Sequence, residues 1–198
     1  MTTEFERMRQ GEVYDFMDPE IHASLTHARK ACAAFRKRDT VHSAEYRAAL
    51  LDLIPGCPES SMVSPPFLCD HGNGIRMGEN VFVNYGCVFL DQAPITLGDW
   101  VKIGPNCQLY TVNHPVNYLE RRKTIEKARP ITIGEDTWLG GGVIVCPGVT
   151  IGKRCIIAAG SVVTRDIPDD SLAAGNPAVV KKTIPREQSL LHLLYRER

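Results

Sequence analysis

The sequence predicts a mainly-β protein: a coil of short flat strands, preceded by a helical appendage and closed by a short C-terminal helix. Three observations carry that expectation. Between Ile131 and Thr164 an aliphatic side chain stands at every sixth position, at Ile133, Leu139, Val145, Ile151, Ile157 and Val163. Each of the first five is followed by a small residue: Gly134, Gly140, Cys146, Gly152 and Ala158. Residues 1 to about 56 lack this register and place apolar residues at helical spacing instead. A helix wants apolar residues near every third or fourth position and a plain strand every second. Six is the period of a coil in which one aliphatic per repeat stacks inside and a small residue follows at the bend. Stacking buries a column that no single repeat could bury alone.

The elements are taken in chain order. Phe5 and Met8 mark a short first helix, and Gly11 separates it from the next segment. Asp18-Pro19 reads as an N-cap with proline in the first turn of a second helix, which carries Ala28, Cys32 and Phe35. Ser43 with Glu45 opens a third helix through Tyr46, Leu50, Leu53 and Ile54, and Pro55-Gly56 ends it. These helices, residues 1–56, are expected to cap one end of the coil and shield its exposed backbone.

The run CPESSMVSPPFLCDHGNG reads as extended chain at the start of the coil region, residues 57–180. The register shows at Met77-Gly78, Val83 and Phe89, slips at Ala93-Pro94, and resumes at Leu97-Gly98, Ile103-Gly104 and Leu109. From Leu109 to Ile133 the spacing is again a multiple of six, yet the polar, basic residues between, at about 110–130, keep no register. They read as a protruding loop, and long loops inside compact domains are usually functional. After Thr164 the chain leaves the coil. Residues 181–198 form the tail, with VVKKT as a short strand and an amphipathic helix after it.

Composition narrows the function. The formal net charge of the 198 residues is zero, which argues against a nucleic-acid partner and a polybasic membrane surface. No apolar run reaches spanning length, and MTTEFERMRQ is too charged for a secretory signal, so the expected location is cytoplasmic. Seven cysteines without a C-x-x-C pair read as reduced thiols, with Cys87, Cys107, Cys146 and Cys155 as small apolar fillers in the repeats. Within the loop, His114 precedes Pro115, which stiffens its backbone. Its unperturbed pKa, roughly 6.5, suits proton transfer near neutrality.

FVNYG around Asn84, NHPV around His114, RPITIGEDTWLGGG, VIVCPGVTIG, AAGSVVTRDIP and AAGNPA together resemble the maltose and galactoside O-acetyltransferases of the hexapeptide-repeat acyltransferase superfamily. RMRQGEVYD resembles the start of that family's helical appendage, so the resemblance spans nearly the whole chain. It implies a left-handed parallel β-helix, a homotrimer with active sites between subunits, and acetyl-CoA as co-substrate with no metal. His114 matches the catalytic histidine, which takes the proton from a sugar hydroxyl. Asn84 matches an asparagine credited with stabilising the oxyanion, and it also counts among the acceptor contacts. Glu126 stands where some members carry a glutamate near the histidine. For the cofactor, Trp138, Gly141, Ala159, Thr164, Arg165 and Lys182 match contact positions, while Val179 replaces one member of a basic pair. On the acceptor side, Asp70 matches a contacting position, Asp91 lies in the acceptor-facing segment, and Gln92 replaces an aspartate of the galactoside enzyme. Phe16 and Leu25 replace a carboxylate and an arginine on the sugar.

The resemblance therefore implies an acetyl-CoA-dependent O-acetyltransferase acting on a maltose-, glucose- or galactoside-like hydroxyl. The same coil with another acceptor, serine or an antibiotic hydroxyl, stays open. A scaffold without catalysis would not need His114, Asn84 and Trp138 together. A zinc-dependent carbonic anhydrase on this coil would need three histidines across neighbouring turns, and the repeat region offers only His114, with His71 just upstream.

Overall fold

The computed structural model describes residues 2–38 and 43–185. Three helices open the chain. Helix α1, Glu4–Gln10, starts at a capping box between Thr3 and Glu6 and stops at Gly11, which takes the left-handed φ of 76°. Helix α2, Pro19–Phe35, is capped by the Asp18 carboxylate, which accepts from the backbone N–H of Glu20 and Ile21. Helix α3, Ala44–Leu53, is capped by Ser43, whose hydroxyl accepts from Tyr46 N. Between α1 and α2 lies a feature not expected of a helical appendage: a strand, Val13–Asp15.

The coil is a parallel β-helix with three faces. The first stacks Met62–Val63, Phe82–Val83, Lys102–Ile103, Trp138–Leu139, Ile156–Ile157 and Ser171–Ala174. The second stacks Leu68–Cys69, Val88–Leu90, Gln108–Tyr110, Ile144–Val145 and Val162–Val163. The third stacks Ile75–Met77, Ile95–Leu97, Ile131–Ile133 and Thr150–Ile151. Every pairing within a face is parallel, as a coil without reversals requires. The six-residue aliphatics are the inward column: Leu139 pairs with Ile157, Val145 with Val163, Ile133 with Ile151, and all six are buried. Full burial of each such side chain contributes about 1.5–3 kcal/mol. The small residues at the bends let coils approach. A Cβ on Gly140 would come within 2.6 Å of Ala159 N in the next coil.

Residues 57–74, which read as plain extended chain, already wind as the first coil: Val63 pairs with Val83 and Cys69 with Phe89. Pro65 and Pro66 at its first corner and the polar residues around them mask the aliphatic register. The helices cover that end. Phe35, Tyr46, Leu50 and Leu53 join one core with Val63 and Phe67. The Tyr46 hydroxyl donates to Val63 O at 2.7 Å and accepts from Val63 N at 3.0 Å, satisfying the edge strand that has no coil beyond it.

The tail strand, Val179–Thr183, runs antiparallel to Ser171–Ala174 and extends the first face. The amphipathic helix expected after it falls in residues 186–198, outside the described residues. No helix among the described residues is long and apolar enough to cross a membrane.

Candidate active site

The loop at 110–130 leaves the coil at the corner between second and third faces and is an ordered arm. Val112–Asn113 and Ile125–Ala128 pair antiparallel, and between them lies helix α4, Tyr118–Arg121, capped by the Asn117 side chain. The appendage strand Val13–Asp15 adds to the far side of Ile125–Ala128, with Tyr14 opposite Glu126. The three strands tie arm to appendage and set His114 directly after Asn113.

His114 is 55% exposed, and its Nε2 lies 3.5 Å from Glu126 Oε1. The other carboxylate oxygen, Oε2, accepts a hydrogen bond of 2.6 Å from the Tyr14 hydroxyl. Tyr14 is buried, and burial together with the Glu126 hydrogen bond pushes its pKa far above the usual 10, so the phenol stays a donor. His114, Glu126 and Pro115 line an open cleft of about 480 Å³.

Glu126 also borders a second cavity, of about 320 Å³, at the same edge of the coil. Its polar side holds Asp70, His71 and Gln92, and its apolar side Phe16, Met17 and Leu25. Gln92 Nε2 donates to Asp70 Oδ2 at 2.6 Å. Burial raises the Asp70 pKa, the Gln92 bond opposes that, and the charges of Asp91 and Glu126 add to the rise. Asp91, grouped with these residues on sequence, is at the same corner but does not line the cavity. It is fully buried and accepts from His71 N at 2.8 Å and Gly74 N at 3.0 Å, so its carboxylate holds the corner together.

A different edge, between first and second faces, carries Asn84, Gly141 and Ala159. The backbone rungs Asn84 N to Ile103 O, Gly104 N to Leu139 O and Gly140 N to Ile157 O stack these corners in one line. Asn84 Oδ1 accepts from Tyr85 N at 2.8 Å, which orients the amide and leaves its NH₂ free of that bond. Gly142 and Gly160, at the same corners, have open space where a Cβ would stand. The result is a ledge of nearly bare backbone, suited to a narrow flexible ligand. Trp138, 49% exposed, flanks it on the first face. Thr164 and Arg165 are exposed at the arm's edge of the prism, after Val162–Val163, and Lys182 lies opposite Leu172 at the end of the first face.

The structure thus brings His114 to Glu126, and Asp70 to Gln92. It leaves Asn84, Gly141 and Ala159 one edge away from His114. Sequence reading missed Tyr14 and His71 as site-forming residues. A Val-Tyr pair between two helices was a faint strand signal, but its partner lies 112 residues further on.

Comparison with known proteins agrees with this fold. Residues 7–54 match the maltose acetyltransferase hexapeptide capping motif and residues 130–165 the bacterial transferase hexapeptide (six repeats). A maltose O-acetyltransferase from Clostridium difficile 630 superposes with a TM-score of 0.89 at 39% identity, covering 92% of this chain and 98% of that one. A hexapeptide-repeat acetyltransferase from Vibrio cholerae, solved with acetyl coenzyme A, gives 0.86 at 39% identity over 92% and 99%. Nodulation protein L of Rhizobium leguminosarum is 46% identical over 180 residues, 89% of this chain and 93% of its own. With the coil and the capping motif both matched, and relatives aligned along nearly its whole length, the chain belongs to the maltose acetyltransferase family of hexapeptide-repeat transferases.

Proposed function

We propose that the protein transfers the acetyl group of acetyl-CoA to a hydroxyl of a sugar, directly and with His114 as general base. The observation that carries this reading is the His114–Glu126 pair on an arm beside a cavity with the Asp70–Gln92 pair on its polar side. Acetyl-CoA supplies an activated acetyl carbonyl for attack. The backbone ledge at Gly141 and Ala159 fits its narrow arm, Trp138 flanks that arm, and Thr164, Arg165 and Lys182 take the nucleotide end. Arg165 is the side chain best suited to phosphate. His114 withdraws the proton of the attacking hydroxyl as the new C–O bond forms and returns it to the CoA thiolate that departs when the C–S bond breaks. Glu126 orients the imidazole, and Asn84 offers its amide N–H where negative charge builds on the carbonyl oxygen. Asp70 and Gln92 hold the acceptor.

The ledge and the arm lie on different edges of one prism, so a working site needs the arm of one copy at the ledge of another. Val116, 97% exposed, with Tyr118 and Leu119 also exposed, gives the arm an apolar tip for such a contact. A homotrimer closes that arrangement with a site at each of its clefts. Seven free cysteines, six of them buried, fit a reducing cytoplasm.

One feature favours a second acceptor class. Phe16, Met17 and Leu25 make one wall apolar, which suits a hydroxyl compound bearing an apolar substituent, an antibiotic for example, over a bare galactoside. Thiol release from acetyl-CoA, measured over sugars, alkyl glucosides, serine and antibiotics, tests both readings. Acceleration by a sugar or glucoside is expected. No acceleration by any of them refutes the enzyme.

A further inference from the structure

We propose that Tyr14, from the N-terminal appendage, is a positioning residue for acetyl transfer, holding Glu126 in place for His114. The inference rests on the acetyltransferase reading and extends the site beyond the coil.

The geometry is specific. Tyr14 and Glu126 are directly opposed in antiparallel strands, so their side chains project from the same face as neighbours. The Tyr14 ring is 1% exposed and packed with Met8 and Ile21, which leaves the phenol little freedom. Its hydroxyl donates to one carboxylate oxygen of Glu126 at 2.6 Å, while the other oxygen stands 3.5 Å from His114 Nε2. The two contacts use the two ends of one carboxylate, and fixing one end fixes the other. An opposing force makes that hold necessary. Asp70 borders the same cavity, and its charge and that of Glu126 repel. An unheld Glu126 would turn away from Asp70, and nothing would keep it facing the imidazole. Burial and the Glu126 bond hold the Tyr14 pKa far above neutrality, so the donor is present throughout the pH range in which His114 can act as a base. The appendage is therefore more than a lid on the coil. Through one hydroxyl it sets the orientation of the base.

The experiment compares wild type, Tyr14→Phe, Glu126→Gln and the double variant by thiol release, with thermal midpoints as a check on folding. Tyr14→Phe keeps the packed ring and removes only the donor. Its kcat is expected to fall about tenfold, the scale of a misplaced catalytic group, with the KM for acetyl-CoA within about twofold. Glu126→Gln, which removes the carboxylate charge facing the imidazole, is expected to fall similarly, and the double variant no further than the worse single one, because both act on His114 through the same side chain. In ligand-free protein labelled at tyrosine Cζ, the Tyr14 resonance, assigned by its loss in Tyr14→Phe, should move in Glu126→Gln. An undiminished kcat in Tyr14→Phe, or losses that multiply in the double variant, overturns the proposal. Should Tyr14→Phe not fold, an unmoved tyrosine resonance in Glu126→Gln, assigned by double labelling of the Val13-Tyr14 pair, overturns it instead. A wild type that releases no thiol with any acceptor refutes the acetyltransferase reading and the proposal with it, whereas an active wild type beside an unaffected Tyr14→Phe refutes the proposal alone.

Discussion

Mild acid should destabilise this protein through one histidine that takes no part in catalysis. His71 is 2% exposed, at the corner between second and third faces, with its Nδ1 2.9 Å from Ser24 Oγ and the Phe5 ring edge-on at 6.0 Å. Its Nε2 is buried without a hydrogen-bond partner. Burial pushes its pKa from 6.5 down to about 4; the Asp91 charge opposes that and Arg9 adds to it. Below pH 6.5 the unfolded chain takes up a proton that the folded ring refuses until about pH 4. Stability therefore falls as pH drops through that window and levels off below it. At about 1.4 kcal/mol per pH unit, the gap between 6.5 and about 4 amounts to about 3 kcal/mol. His71→Phe keeps a ring against Phe5 and cannot titrate. It is expected to lose about 1 kcal/mol at pH 7, where Ser24 loses a partner, and to overtake wild type at about pH 5.5 to 6. Urea unfolding of both proteins at half-unit steps from pH 7 to pH 4 reads the difference directly, since carboxylates common to both cancel. Parallel stability curves would refute the reasoning.

Other expectations are simpler. Ile157→Ala opens a hole in the fully buried column between Leu139 and Ala173, and a loss of 2–5 kcal/mol in chemical denaturation is expected, about the range for such truncations. Gly72→Ala meets two obstacles, a φ of +75° and a Cβ 1.9 Å from Leu53 O, so the thermal midpoint should drop sharply; an unchanged one would mean the corner can rearrange. His114→Ala should still bind CoA but turn over about a hundred- to ten-thousand-fold more slowly, and near wild-type turnover would remove it from the mechanism. Arg165→Ala should weaken CoA binding in a direct titration with little change in maximal rate, and an unchanged affinity would place the nucleotide elsewhere.

How much of this was legible depended on the range of the interaction. The coil between Ile131 and Thr164 was readable because each repeat needs only its neighbours, so its period lies on the surface of the sequence. The helix caps at Asp18 and Ser43 were readable for the same reason, since cap and capped N–H are within three residues. The first coil was obscured where Pro65 and Pro66 interrupt the aliphatic spacing at a corner. Asp91 illustrates a different limit. A carboxylate in a segment that faces a cavity looks like a ligand contact, but here two backbone N–H groups at His71 and Gly74 claim it. Charge type was visible in the sequence, and the backbone donors around it were not.

The Tyr14–Glu126 contact sits at the far end of that scale, and it changes what the appendage is for. A cap needs only to cover the end of the coil, and α2 and α3 do that with Phe35, Leu50 and the Tyr46 hydroxyl on Val63. Nothing in that task requires the strand Val13–Asp15, which sits beside the arm and not over the coil's end. Arg9 makes the same point from the other side: it reaches the backbone carbonyls of Asp91 and Gln92 and the side chain of Asn73, fastening the appendage to the corner that carries the cavity beside Glu126. Burial lowers its pKa without threatening its charge, and the Asp91 carboxylate offsets part of that cost. Appendage, corner and arm are thus joined by side-chain and strand contacts at the one edge where His114 stands. A coil stripped of its first 18 residues would keep its column and its ledge, yet it would lose the hydroxyl that aims Glu126, the Phe16 and Met17 wall of the cavity, and the guanidinium that pins the corner. The repeats supply a rigid frame and the polar side of the cavity; the segment that does not repeat supplies its apolar wall.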